Sequence, residues 1–224
     1  MQAGVHPEHA GEPVRIPCGR AWLHGDLAVP AGPVGLVLFA HGSGSSRLSS
    51  RNRQVAASLQ QAGLATLLFD LLTQDEEAVD IHTRHYRFDI PLLAQRMERA
   101  TAWIDTLPGL RELPLGFFGA STGSAAALIA AARLGDRVRA VVSRGGRPDL
   151  AGPETLAAVL APTLLLVGGD DTEVITLNRQ AFEHLRCTKD LVIVPGATHL
   201  FEEPGTLERV CELAAGWFRR YLGG

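Results

Sequence analysis

LPLGFFGASTGSAAALIAAARL, running from Leu113 to Leu134, is the stretch whose reading decides the fold. Its first half is a short apolar run of the kind that forms a strand buried on both faces, and SAAALIAAARL (Ser124 to Leu134) is helix-prone. Between them lies Gly119-Ala120-Ser121-Thr122-Gly123, a G-x-S-x-G pattern. Small residues in that position allow a sharp strand-to-helix turn that lifts the serine Oγ above a sheet. The same turn leaves the Thr122 N–H unpaired at a helix N-terminus, where it can stabilise a developing oxyanion.

Outward from this stretch the same texture repeats. The runs Val34 to Ala40, Leu64 to Asp70, Val138 to Ser143, Thr163 to Gly169 and Leu191 to Gly196 are short and apolar, and amphipathic segments separate them. Val55, Leu59 and Ala62 share one helical face. Leu93, Met97, Ala100, Ile104 and Leu107 share another, with Asp89 as N-cap and Pro91 in the first turn, and Leu207, Val210, Ala214, Trp217 and Tyr221 a third. Upstream, Val14 to Cys18 and Ala21 to Val29 read as an antiparallel hairpin closed by Pro30-Ala-Gly-Pro33, behind a polar tail over residues 1–13. The expectation is one α/β domain over residues 1–224, with a doubly wound, mostly parallel sheet of about eight strands, an N-terminal antiparallel hairpin and no cap domain. Leu71 to Arg87 reads as the longest irregular stretch.

A serine hydroxyl needs a base, and the base needs an orienting acid. Downstream of Ser121, two apolar runs end in candidate partners: Gly169-Asp170-Asp171 and Ala197-Thr198-His199. In a parallel sheet these strand ends share one edge with Ser121, the edge where such sheets bind ligands. His199 is therefore the expected base. Spacing leaves Asp170 and Asp171 both open as the acid, with Asp149 a third choice. The Gly-rich loop His41-Gly42-Ser43-Gly44-Ser45 is expected to supply a second oxyanion donor, the Ser43 N–H. His85, Arg144 and Arg147 are candidate substrate contacts, since a positive lining would suit a carboxylate or phosphate.

The composition, 46% hydrophobic and 20% charged among 224 residues, is that of a globular protein, and the formal net charge of -3 gives no footprint for nucleic acid. No apolar run reaches the roughly 20 residues needed to span a bilayer, so no membrane insertion is expected. The opening MQAGVHPEHAGEPVR lacks the apolar core of a secretory signal. Cys18, Cys187 and Cys211 are odd in number and widely spaced, which fits a reducing cytoplasm and suggests neither disulfides nor zinc. No phosphate-loop or dinucleotide fingerprint is present, His82 and His85 lack a third ligand of recognisable spacing, and no metal or organic cofactor is expected.

LVLFAHGSGSS, GFFGASTGSAAA, AVVSRGGRPDLA, LLLVGGDDTEV and VIVPGATHLFEEPG together resemble the α/β-hydrolase superfamily, within it the compact, lidless bacterial group related to dienelactone hydrolases. The resemblance implies Asp171 as the acid, three residues after Gly168 and three before Val174. Dienelactone hydrolases proper carry Cys at the elbow, where this chain has Ser121. Cleavage of small or open-chain carboxylic esters is therefore the implied activity, through a Ser121, Asp171, His199 triad with no cofactor. Hydrolysis of a thioester, lactone, amide or phosphotriester is the alternative, as is a non-catalytic ligand-binding protein on the same scaffold. Monomer and homodimer both stay open.

Overall fold

The computed structural model describes residues 11–223. Among them, eight strands form one sheet in the order β1-β2-β4-β3-β5-β6-β7-β8. The hairpin is β1 (Glu12–Cys18) and β2 (Ala21–Ala28), antiparallel to each other, with β2 also antiparallel to β4 (Ala65–Phe69). The strand β1 begins at Glu12, inside the segment expected as tail, because Glu12 and Pro13 pair with Leu27 and Asp26. Residues 1–10 of that tail lie outside the described residues.

The remaining strands, β3 (Leu36–Ala40), β5 (Leu115–Ala120), β6 (Val138–Arg144), β7 (Thr163–Gly168) and β8 (Lys189–Val194), run parallel with β4. Their apolar runs follow from burial on both faces, since side chains alternate across a pleat. In β3, Val37 and Phe39 face one layer, with Phe39 against Phe118 at a ring-centroid distance of 4.9 Å, while Leu36, Leu38 and Ala40 face the other. The edge strand β8 departs from the expectation of full burial, most of its residues being only half covered.

Helices α1 (Ser50–Gln61) and α7 (Thr206–Leu222) cover the Phe39 face. On the opposite face lie α3 (Ile90–Ile104), α4 (Thr122–Leu134), α5 (Pro153–Ala158) and α6 (Thr172–His184). Asp89 caps α3 by accepting the Leu92 N–H at 3.0 Å, with Pro91 in the first turn. Between β6 and β7, where a cap would be inserted, the chain forms only a 3-10 turn at Pro148–Ala151 and the short α5. No described helix is long and apolar enough to cross a membrane.

The stretch expected as irregular contains a helix, α2 (Gln74–Thr83). Its N-terminus is a capping box: Thr73 Oγ1 accepts the Glu76 N–H at 3.3 Å, and Glu76 Oε2 accepts the Thr73 N–H at 2.8 Å. With few apolar residues α2 shows no core stripe, and a tertiary hub stabilises it instead. Asp80, 1% exposed, accepts the N–H groups of Tyr86 and Arg87 at 2.7 and 3.0 Å and Arg87 Nε at 2.5 Å.

Burial pushes the Asp80 carboxyl up, but hydrogen bonds from Arg87 and Tyr86 outweigh it and hold the pKa below the ordinary carboxylate value. A depressed folded pKa contributes stability above the unfolded value, lost as pH falls through the folded one. Asp80→Asn is expected to melt about 4–8 °C below wild type at pH 7, with the gap narrowing below about pH 4. Thermal melts across pH check this; an equal gap at pH 7 and pH 3 would contradict it.

Candidate active site

Every parallel strand delivers its C-terminal end to the same edge, and the chemistry-bearing loops collect there. Ser121 follows β5 and sits at φ 50°, ψ −123°, a conformation L residues rarely adopt. The surrounding structure enforces this strain. Its N–H donates to Arg144 O at 3.2 Å and its C=O accepts from Arg147 N at 3.1 Å. A β-carbon on Gly123 would collide with the carbonyl oxygens of Ala40 and His41, so only glycine lets α4 begin this close to β3. Below the elbow, Ser143 Oγ donates to Ser124 Oγ, which donates to Gly119 O, each at 2.9 Å.

Two loops bring Asp171 and His199 together. Gly168, ending β7, lies so close to the carbonyls of Ala197 and Thr198 that a β-carbon there would strike both. Asp170 N–H donates to Ala197 O at 3.0 Å, which seats one loop on the other. The next residue turns inward, and His199 Nδ1 lies 2.7 Å from Asp171 Oδ2, while Asp170 is exposed. The His199 loop is fixed by Glu203, which accepts from Thr198 N at 3.0 Å, and by buried Phe201, held at φ 55°.

Ser121 and His199 line one cleft of about 220 Å³, together with Gly42, Ser43, Arg51 and Arg144. Among the described residues Ser121 Oγ makes no hydrogen bond. The Thr122 N–H is the first of α4 and has no intrahelical acceptor. The expected second donor is engaged instead: Ser43 N–H donates to Thr122 Oγ1 at 2.9 Å. The Gly-rich loop is anchored from behind by His41, whose Nε2 accepts the Leu71 N–H at 3.1 Å, so that Nδ1 carries the proton toward Gly42 O at 2.9 Å. Burial lowers the His41 pKa and keeps the ring in that neutral form.

The three candidate substrate contacts separate. Arg144 lines the cleft and is 6% exposed. Arg147 turns away into a two-pronged pair with Asp149, Nε–Oδ1 at 2.9 Å and Nη2–Oδ2 at 2.8 Å, which also removes Asp149 from contention as the acid. His85 is exposed beside Tyr86 and lies outside the cleft. Sequence reading missed Arg51 and Asn52 as cleft residues, because they look like ordinary polar positions in the first turn of a surface helix. A larger hollow of about 330 Å³, lined by His24, Ser46, Asp70, Leu72 and Glu77, holds neither Ser121 nor His199. Among the described residues no group of three or more His, Cys, Asp or Glu is placed to hold a metal ion.

The sheet order and the elbow, with Asp171 and His199 after the later strands, define the α/β-hydrolase class. A crystal structure of a dienelactone hydrolase from Anabaena variabilis ATCC 29413 matches with a TM-score of 0.92 at 58% identity, over 96% of this chain and 100% of that one. The chain belongs to the dienelactone hydrolase family. A curated protein of Mycobacterium tuberculosis H37Rv, provisionally named a phosphoribosyl transferase, is 54% identical over all 224 residues, and this chain spans about half (49%) of its length. Est1E from Butyrivibrio proteoclasticus, at 16% identity, shares the fold with a TM-score of 0.79 over 93% of this chain and 98% of its own. No family model matches the chain.

Proposed function

We propose that the chain is a serine hydrolase that cleaves carboxylic esters of small or open-chain substrates through an acyl-enzyme on Ser121. The observation that carries this reading is the Asp171–His199 hydrogen bond of 2.7 Å on the wall of the cleft that holds a strained elbow serine. In the proposed cycle, His199 Nε2 takes the Ser121 proton as Oγ attacks the acyl carbon, and the carbonyl oxygen becomes an oxyanion. His199 then gives that proton to the departing alcohol and activates a water for deacylation, while Asp171 fixes the tautomer and stabilises the imidazolium.

The Thr122 and Ser43 amides would hold the oxyanion. A hydrogen bond to an ionised oxygen is roughly twice as strong as a neutral one, so the developing charge can draw the Ser43 N–H away from Thr122 Oγ1. The absence of an inserted cap leaves the cleft open, which favours small or extended esters. The transferase name of the M. tuberculosis relative belongs to a protein of which this chain matches about half, and the residues gathered in this cleft favour hydrolysis.

A fluorophosphonate probe tests the assignment directly. It is expected to add one phosphonyl group to the wild type, mapped by peptide mass analysis to Ser121, and none to Ser121→Ala. An unlabelled wild type would favour a ligand-binding protein on this scaffold.

A further inference from the structure

One wall of the cleft carries groups that acyl transfer does not use. Arg144, the last residue of β6, is almost fully buried, yet no carboxylate pairs with it among the described residues. Its Nη2 donates to Asn52 Oδ1 at 3.3 Å, its guanidinium carbon stands 5.9 Å from the Phe201 ring centroid, and its Nε is buried without a partner. Burial, and then repulsion from Arg51, pushes its pKa down to about 10, which leaves it charged at neutral pH.

Arg51 lines the same cleft. Its Nη1 lies 3.1 Å from Glu202 Oε1, on a side chain 64% exposed at the rim, and its Nε is buried and unpartnered. Both residues stand beside the N-terminus of α1, whose first turn holds no acidic residue and whose cap Ser49 also faces the cleft. A helix N-terminus is itself positive. Three sources of positive charge therefore converge, and one solvated carboxylate faces them. Buried cations are normally paired, and a protein that leaves one unpaired beside its nucleophile has room for an anion to complete it.

We propose that Arg144, Arg51, Asn52 and the first turn of α1 form an oxyanion subsite that takes a phosphate group carried by the substrate. Phosphate is preferred to a carboxylate because its second charge and additional acceptor oxygens use both guanidiniums and the helix end together. The subsite deepens the hydrolase reading by naming a substrate class, phosphorylated esters, and its existence can be measured without turnover.

Inorganic phosphate and acetate, each on the order of 10 mM at fixed ionic strength, are the probes, with Ser121→Ala protein as host. Phosphate is expected to raise the apparent Tm by about 3 °C, the shift given by a ligand near ten times its Kd in a domain of this size, and acetate by less. Arg144→Met and Arg51→Gln should each abolish the shift, whereas Arg209→Gln, on the exposed face of α7, should keep it. Arg144→Met should melt no lower than its parent, because it removes a buried unpaired charge. If the wild type turns over esters, phosphate should raise KM with kcat unchanged. No phosphate shift in the host, an equal shift with acetate, or a shift retained in both Arg144→Met and Arg51→Gln would overturn the proposal. Failure of ester turnover alone would overturn the function proposed above and leave the phosphate shift to be read independently.

Discussion

Ser121→Ala is expected to lower kcat for p-nitrophenyl acetate by about 10⁴–10⁶-fold, the loss seen when a triad nucleophile is removed and only binding and oxyanion contacts remain. The substitution deletes one oxygen that makes no hydrogen bond within the described residues, and alanine keeps the β-carbon already accommodated at φ 50°. Neither fold nor Tm should change by more than a degree or so. Steady-state kinetics beside a thermal melt separates lost chemistry from lost structure. Turnover within tenfold of wild type in a folded Ser121→Ala protein would remove Ser121 from the mechanism.

Asp171→Asn is expected to cost about 10⁴-fold in kcat, and Asp170→Asn no more than a few-fold. The two side chains differ by one position, but only Asp171 reaches the imidazole, 2.7 Å from His199 Nδ1. The amide introduced by Asp171→Asn could satisfy that ring nitrogen by donating to it, and the proton would then sit on Nε2. The base would face Ser121 as a donor and could not accept its proton. Asp170 holds its loop in place through its backbone N–H, which Asn keeps, and its exposed side chain is free to change. Equal losses in both variants would mean that the loop as a whole, and not the Asp171 carboxylate, controls the rate.

Much of the fold was legible in the chain because its signals are local. Six apolar runs separated by amphipathic segments require a sheet covered on both faces, and a G-x-S-x-G between strand and helix requires a sharp turn. The α2 capping box was legible too, as Thr73 and Glu76 three residues apart. No apolar stripe marks it, since α2 is held by its cap and by Asp80.

The sequence by itself therefore determined the inner strands and the elbow, which depend on spacings of a few residues, and it placed two candidate acids and a histidine at the ends of later strands. Spacing left two adjacent aspartates open and the resemblance pointed to Asp171; the tertiary structure brings that one to His199, because Gly168 seats one loop against another nearly thirty residues away. It also decided that Arg144 enters the cleft while Arg147 pairs with Asp149 and His85 stays outside. Three cationic or titratable side chains look alike in a sequence, and what distinguishes them is the company each keeps. Buried charge without a partner becomes visible only when distant segments have been packed together and every available carboxylate accounted for.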